Sequence, residues 1–246
     1  MPWSDGSGTA GALVSMDMAA GSLADLEQAR PLLDRKSTAE RVTDILRDMI
    51  TEGRLLPGTR LTEEAIGEAL GVSRNTLREA FRLLTHERLL VHELNRGVFV
   101  RTLARADVTR LYHARRILEG AAIRELRTDG APAALANVRK AVDDGEEAAR
   151  AGRWHDVGTA NMRFHQALVA LAGSERLDEF MTQLLAELRL SFYVMKNPRQ
   201  FHEPYLARNR ELLTLLQSGD HTTAAALLAA YLADAESQLT DAYTPQ

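Results

Sequence analysis

The sequence predicts a mainly α-helical protein, with an N-terminal winged helix-turn-helix followed by a C-terminal all-α helical bundle. Apolar residues recur at helical spacing through most of the chain after Ser37. A very short interval, Gly71-Val72-Ser73, joins two of the helical segments, as in the turn of a helix-turn-helix. Strand-like alternation is confined to Leu89–Val100, around a tight Asn95-Arg96-Gly97 connection.

The elements follow in order. Residues 1–34 are small and polar, with Gly6, Gly8, Gly11 and Gly21, and are expected to form a flexible extension with a short helix near Leu23–Leu33. Ser37 and Glu40 match a capping box, and Val42, Ile45, Leu46, Met49 and Ile50 continue it as a helix that Gly53 stops. After the Pro57-Gly58 turn, Thr62 is placed to cap a second helix, with Ile66 and Leu70 facing inward and Gly71 at its end. Ser73 caps a third helix whose apolar face is Leu77, Ala80, Phe81 and Leu84. With the hairpin of Leu89, Val91, Val98 and Val100, residues 35–102 make one winged helix-turn-helix domain. A linker near 102–106 leads to residues 103–246. Helices are expected there from Asp107 to Arg127, from Pro132 to Gly152, over Trp154–Leu171 and Glu175–Met195, from Pro204 to Ser218, and over Asp220–Ala242.

Composition narrows the function classes. The chain has 246 residues, a net charge of −4 and no cysteine, which excludes disulfides, thiolate zinc sites and a cysteine nucleophile. The longest apolar stretch, Ala224–Ala233, is too short to span a bilayer, and the N-terminus lacks the basic and apolar regions of a signal peptide, so a cytoplasmic protein is expected. No phosphate-cradling glycine loop, H-E-x-x-H or G-x-S-x-G is present, and no enzyme is expected. The acidic run Asp143-Asp144 and Glu146-Glu147 reads as a solvated helix face.

The overall charge conceals a local one. Gly71–Arg101 carries a net +3, all of its cations being arginine, while the rest of the chain carries −7. On the third helix, Asn75, Arg78, Glu79 and Arg82 fall opposite Leu77, Phe81 and Leu84, so one face packs while the other presents donors to a major groove. The Ser73 and Thr76 hydroxyls, with the helix N-terminus itself, suit phosphate oxygens, Arg74 joins Asn75, Thr76 and Arg78 at the major groove, and Arg96 beside Gly97 suits a minor groove or phosphate. The plain structural alternative is a solvated arginine face with short-range ion pairs.

Three runs carry a resemblance. Leu56-Pro57-Gly58-Thr59-Arg60-Leu61, Leu70-Gly71-Val72-Ser73-Arg74-Asn75-Thr76-Leu77-Arg78-Glu79-Ala80 and Arg96-Gly97-Val98-Phe99-Val100 resemble the DNA-binding domain of the GntR family of bacterial transcription regulators. The resemblance implies that Arg74, Thr76 and Arg78 contact operator DNA and that Gly97 lies at the wing tip. Many relatives have Thr where this chain has Asn75. Further on, Tyr112-His113-Ala114-Arg115-Arg116-Ile117-Leu118-Glu119, Phe164-His165, Leu171-Ala172-Gly173-Ser174, Arg210-Glu211-Leu212 and Ser218-Gly219-Asp220 are similar to the FCD effector domain of the FadR-type branch.

Many members of that branch hold a divalent metal with one Asp and three His. The corresponding positions here are Asn161, His165, Asn209 and Tyr231, a poor first-row metal set, so no metal or other cofactor is expected. Arg115, Asn161, His165, Arg189, Asn209 and Tyr231 are instead expected to line a pocket for a small effector, anionic because arginine is present. The structural alternatives are that Arg115 pairs with Glu119 along its helix, that His165 is a satisfied core histidine, and that Tyr231 packs with its hydroxyl at the surface. The implied protein is a homodimeric, ligand-responsive repressor of double-stranded operator DNA that senses a small organic acid. The alternatives are a metal-assisted sensor using His165, a ligand-independent DNA-binding dimer, and an enzyme or carrier fused to a DNA-binding module.

Overall fold

A computed structural model describes residues 37–126 and 131–243, without the side chains of 131–134. The expectations for residues 1–34, including the helix near Leu23–Leu33, lie outside these residues. The mainly α fold with a small winged sheet is as predicted. The first helix, α1 (Thr38–Thr51), buries Val42, Leu46 and Ile50 along one stripe. A two-residue strand β1 (Arg60–Leu61) follows, then α2 (Glu63–Leu70) and α3 (Arg74–His86). Gly71 joins α2 to α3 at φ 64°, the left-handed conformation that glycine adopts without strain, and its N–H returns to the Gly67 carbonyl.

The wing differs from the two-stranded hairpin expected. Strands β2 (Leu90–Glu93) and β3 (Gly97–Val100) pair antiparallel, and β1 joins the other edge of β3, giving the order β1-β3-β2. Two residues are too short to show a period, and no strand is expected from the sequence at Arg60–Leu61. Thr62 also departs from expectation. It stands at the N-cap of α2 with extended backbone angles, but its hydroxyl makes no capping bond.

The bundle comprises α4 (Arg105–Arg124), α5 (Ala131–Arg150), α6 (Trp154–Ala170), α7 (Glu175–Arg189), a 3-10 turn (Leu190–Val194), α8 (Pro198–Ser218) and α9 (His221–Asp241). Three boundaries differ from those the sequence predicts. Asp107 sits inside the first turn of α4, where its carboxylate accepts from the Ala104 N–H at 2.9 Å, so the helix starts two residues earlier than expected. The helix expected over Glu175–Met195 breaks after Arg189, where the Ser191 hydroxyl donates to the Leu188 carbonyl at 2.6 Å and the chain tightens to 3-10.

The third correction concerns Pro204, whose expected place is a helix start and which lies inside α8. Asn197 caps that helix instead, its Oδ1 accepting from the Gln200 N–H at 3.2 Å, with Pro198 at the first helical position. Pro204 has no N–H to offer the Gln200 carbonyl; the Gln238 side chain on α9 donates to that carbonyl at 3.5 Å.

Buried apolar residues of the winged segment and the bundle form one continuous cluster, running from Val42 and Leu84 through Leu103 and Val108 to Leu239. Charged bonds cross the same junction. Arg101 donates to Glu187 at 2.6 Å and to Asp107 at 2.9 Å. The acidic run is more than a solvated face, since Arg210 on α8 pairs with Asp143 and Glu146 on α5 at 2.6 and 2.8 Å.

Candidate nucleic-acid interface and internal polar chamber

Helix α3 is anchored by Leu77, Ala80, Phe81 and Leu84, all buried. Ser73 caps it, accepting from the Thr76 N–H at 3.1 Å, while the two hydroxyls lie 2.9 Å apart. Arg74, Asn75, Arg78, Glu79 and Arg82 are exposed on the opposite side. In the free protein two of these arginines are held by carboxylates. Arg78 donates from Nε to Glu63 at 2.9 Å, and Arg82 grips Glu79 with two bonds at 2.9 and 2.6 Å. These pairs raise the guanidinium pKa values and are solvent-exposed, so phosphates can replace the carboxylates at little cost.

At the wing, Asn95 turns the chain at φ 61° and the Arg96 N–H closes the turn on the Glu93 carbonyl at 3.0 Å. The Arg96 side chain is exposed, pairs with Glu93, and lies 5.4 Å above the Phe99 ring. Two residues missed by sequence reasoning join this surface. Arg60 on β1 lies against Gly97, and with Arg74 and His92 it lines a groove of about 330 Å³ between the helix-turn-helix and the wing. The pairing of β1 with β3 places Arg60 there, and nothing in a two-residue strand reveals that pairing from sequence.

Within the bundle, five of the six expected effector residues form one chain of contacts. Arg115 (α4) donates from Nε to Glu119 at 2.8 Å. The other Glu119 oxygen lies 2.6 Å from His165 Nδ1 (α6), and His165 Nε2 lies 3.2 Å from the Tyr231 hydroxyl (α9). That hydroxyl donates to Asn161 Oδ1 at 2.9 Å, and Asn209 (α8) donates to the same oxygen at 2.7 Å. Glu119, which the sequence reading gave only as an ion-pair partner of Arg115, is the centre of the set and fully buried. The Tyr231 hydroxyl is internal, not at the surface. Arg189 stands apart, and no hydrogen bond joins it to this chain among the described residues.

The electrostatics follow from depth. Burial would raise the Glu119 pKa, but Arg115 and His165 beside it outweigh that and hold the carboxylate below its usual range. Burial, together with the Arg115 charge, pulls His165 below its ordinary value despite Glu119. Two buried polar atoms have no partner among the described residues of this set: Arg115 Nη2 and Asn209 Oδ1. A metal does not fit. Asn161, His165, Asn209 and Tyr231 offer one imidazole, two amides and a phenol, and no cluster of three His, Asp or Glu forms among the described residues.

Known proteins show the same organisation. Residues 38–100 match the gntR family of bacterial regulatory proteins, and residues 110–234 match the FCD domain. A crystal structure described as a putative transcriptional regulator GntR from Rhodococcus sp. RHA1 is 45% identical, with a TM-score of 0.81 over 85% of this chain and 100% of that one. An uncharacterized HTH-type transcriptional regulator of Bacillus subtilis is 27% identical over 68% of this chain and 80% of its own. A probable D-xylose utilization operon transcriptional repressor of Paenarthrobacter nicotinovorans is 32% identical over 59% of this chain and 64% of its own.

Proposed function

The chain belongs to the gntR family of bacterial regulatory proteins, with an FCD domain, and from that premise we propose that it is a ligand-responsive repressor acting as a homodimer. In this reading residues 35–102 bind one half of a pseudo-palindromic operator and residues 103–246 bind the effector and dimerise. The observation that carries the DNA half is helix α3: a capped helix packed on one face, with Arg74, Asn75, Arg78 and Arg82 exposed on the other. Ser73 and Thr76 position phosphate, and Arg96 with Gly97 brings the wing to the backbone or the minor groove.

The effector half rests on the Arg115 chamber. An unpaired guanidinium nitrogen and an unpaired amide oxygen, both buried, offer a donor and an acceptor to one small molecule. Arg115 favours a carboxylate, and Asn209 a hydroxyl on the same molecule, which points to a small hydroxy acid or a related metabolite. For dimerisation, Ile117 on α4 and Phe180 on α7 are each more than half exposed, an apolar pair suited to a second copy. No helix among the described residues is long and apolar enough to cross a membrane.

The ligand changes operator affinity only if it binds one arrangement of the two winged domains better than the other. Arg74→Ala and Arg78→Ala test the DNA half. Each is expected to weaken operator binding by about 1–3 kcal/mol in fluorescence anisotropy. Unchanged affinity in both overturns the assigned recognition helix. A thermal-shift screen of organic and sugar acids tests the effector half, where a ligand at about 100 Kd stabilises by about 2.7 kcal/mol. Light scattering tests the dimer, and a monomer at micromolar concentration refutes it.

A further inference from the structure

Arg189 is 5% exposed, yet among the described residues no carboxylate lies within ion-pair distance of it. Buried arginines are normally paired, as Arg115 is here. The Arg189 guanidinium is instead shared among weak acceptors. Nε donates to the Thr51 carbonyl, the last of α1, at 2.9 Å. Nη2 donates to His155 Nε2 at 2.8 Å and reaches the Thr159 hydroxyl at 3.5 Å. Nη1 has only the Met162 sulfur, at 3.9 Å. A thioether is a poor acceptor, so one edge of a buried cation is left nearly unmatched.

A second unmatched group stands beside it. His202 is buried, and its Nδ1 has no partner among the described residues. Its Nε2 and Arg189 Nη1 close on the same point. A methyl added to Gly158 would lie 2.7 Å from the one and 2.8 Å from the other, so any larger residue there must displace one of the two groups. The Phe192 ring backs both groups, 5.7 Å from the guanidinium and 5.5 Å from the imidazole. The cluster is not sealed, because the His155 side chain is about half exposed at its rim.

We propose that Arg189, His155, Thr159 and His202 form a receptor for a small oxyanion, a carboxylate or phosphate, distinct from the Arg115 chamber, and that this anion competes with the Thr51 carbonyl for Arg189. The physical ground for the competition is charge. The carbonyl offers the partial negative end of a helix, whereas an oxyanion offers a full charge and two acceptor atoms in guanidinium geometry. Just past the end of α1, the Tyr193 hydroxyl lies against Gly53. An anion that draws Arg189 away therefore releases the end of the helix whose Val42, Leu46 and Ile50 pack in the core of the winged segment. The binding half stands on this geometry alone; the coupling half rests on the DNA-binding reading above.

The experiment is calorimetric titration of the full chain in chloride-only buffer with inorganic phosphate and with succinate. The proteins are wild type, Arg189→Gln, His155→Ala and Arg115→Gln, each checked by thermal melt. Saturable binding of at least one probe is expected in wild type and in Arg115→Gln, weakened tenfold or more in Arg189→Gln. His155→Ala, at an exposed rim position, keeps the test decisive if Arg189→Gln does not fold, and is expected to weaken binding several-fold. No saturable binding of either probe at tens of millimolar overturns the proposal, as does binding lost in Arg115→Gln but kept in the other two.

Operator affinity is then read with and without the bound probe at constant ionic strength. A change in wild type that His155→Ala abolishes supports the coupling, and an unchanged affinity overturns it. If no operator is bound even without a probe, the DNA-binding reading and with it the coupling half fail, while calorimetry still decides the site.

Discussion

Glu119→Gln isolates the energetics of the buried chamber. The substitution keeps shape and removes one charge. Glu119 is fully buried and Arg115 is 3% exposed, so the change leaves a guanidinium in the core without its counter-charge. It also presents an amide donor where both neighbours need an acceptor: Arg115 Nε at 2.8 Å and His165 Nδ1 at 2.6 Å. Breaking a buried pair by removing one partner costs about 3–5 kcal/mol. For a chain of this size that corresponds to a fall in melting temperature of roughly 6–20 °C.

Urea denaturation followed by circular dichroism measures the loss directly. The pH dependence supplies an independent check. The folded Glu119 pKa is depressed, so its stabilisation is present above the ordinary value of 4.5 and is lost as pH falls below it. The variant is expected to lack that part of the acid limb. A second arm, Arg115→Met with Glu119→Leu, removes both charges and is expected to be less destabilised than Glu119→Gln alone. A Glu119→Gln protein within about 1 kcal/mol of wild type, with the acid limb unchanged, would show that the ion pair does not carry the cost assigned to it.

Two further outcomes follow from the same structure. Burial, with Arg189 and His155 nearby, pushes His202 from 6.5 to about 3, so between those values the unfolded chain binds a proton that the folded one does not. Stability therefore falls as pH drops from 6.5 toward 3, by up to about 5 kcal/mol, and His202→Gln should flatten that limb in pH-dependent urea titrations; a limb of unchanged slope counts against it. On the recognition helix, Glu79→Gln frees Arg82 from its two-point carboxylate grip. Operator affinity should rise and the slope of log K against log salt should steepen by about 1, and an unaltered slope would place Arg82 off the phosphate path.

What the sequence reveals depends on range. Ser73 three residues before Thr76, the Leu77-Phe81-Leu84 stripe and the Gly71 turn are local features, and α3 lies where they place it. The wing strands at Leu90–Glu93 and Gly97–Val100 are legible for the same reason. Asn161 and His165 stand four apart on one helix face, but only family resemblance groups them with Arg115, Asn209 and Tyr231, which come from three other helices. Arg189 was grouped with them only because it is a lone charge on an apolar helix, which marks a buried cation without saying what it meets.

By itself, then, the sequence determined the helices with strong periodicity, the Ser73 cap and the exposed arginine face, because hydrogen bonds within a few residues and burial of one stripe suffice to specify them. The tertiary structure decided the rest. It paired β1 with β3 and so brought Arg60 to the wing. It let α8 run through Pro204 because Gln238 on another helix supplies the missing donor. It centred the chamber on Glu119 and sent Arg189 to the end of α1. Each of these outcomes depends on which groups a buried donor, acceptor or charge meets across the core. A buried polar group must find a partner wherever the packing places one, and sequence distance carries no record of that place.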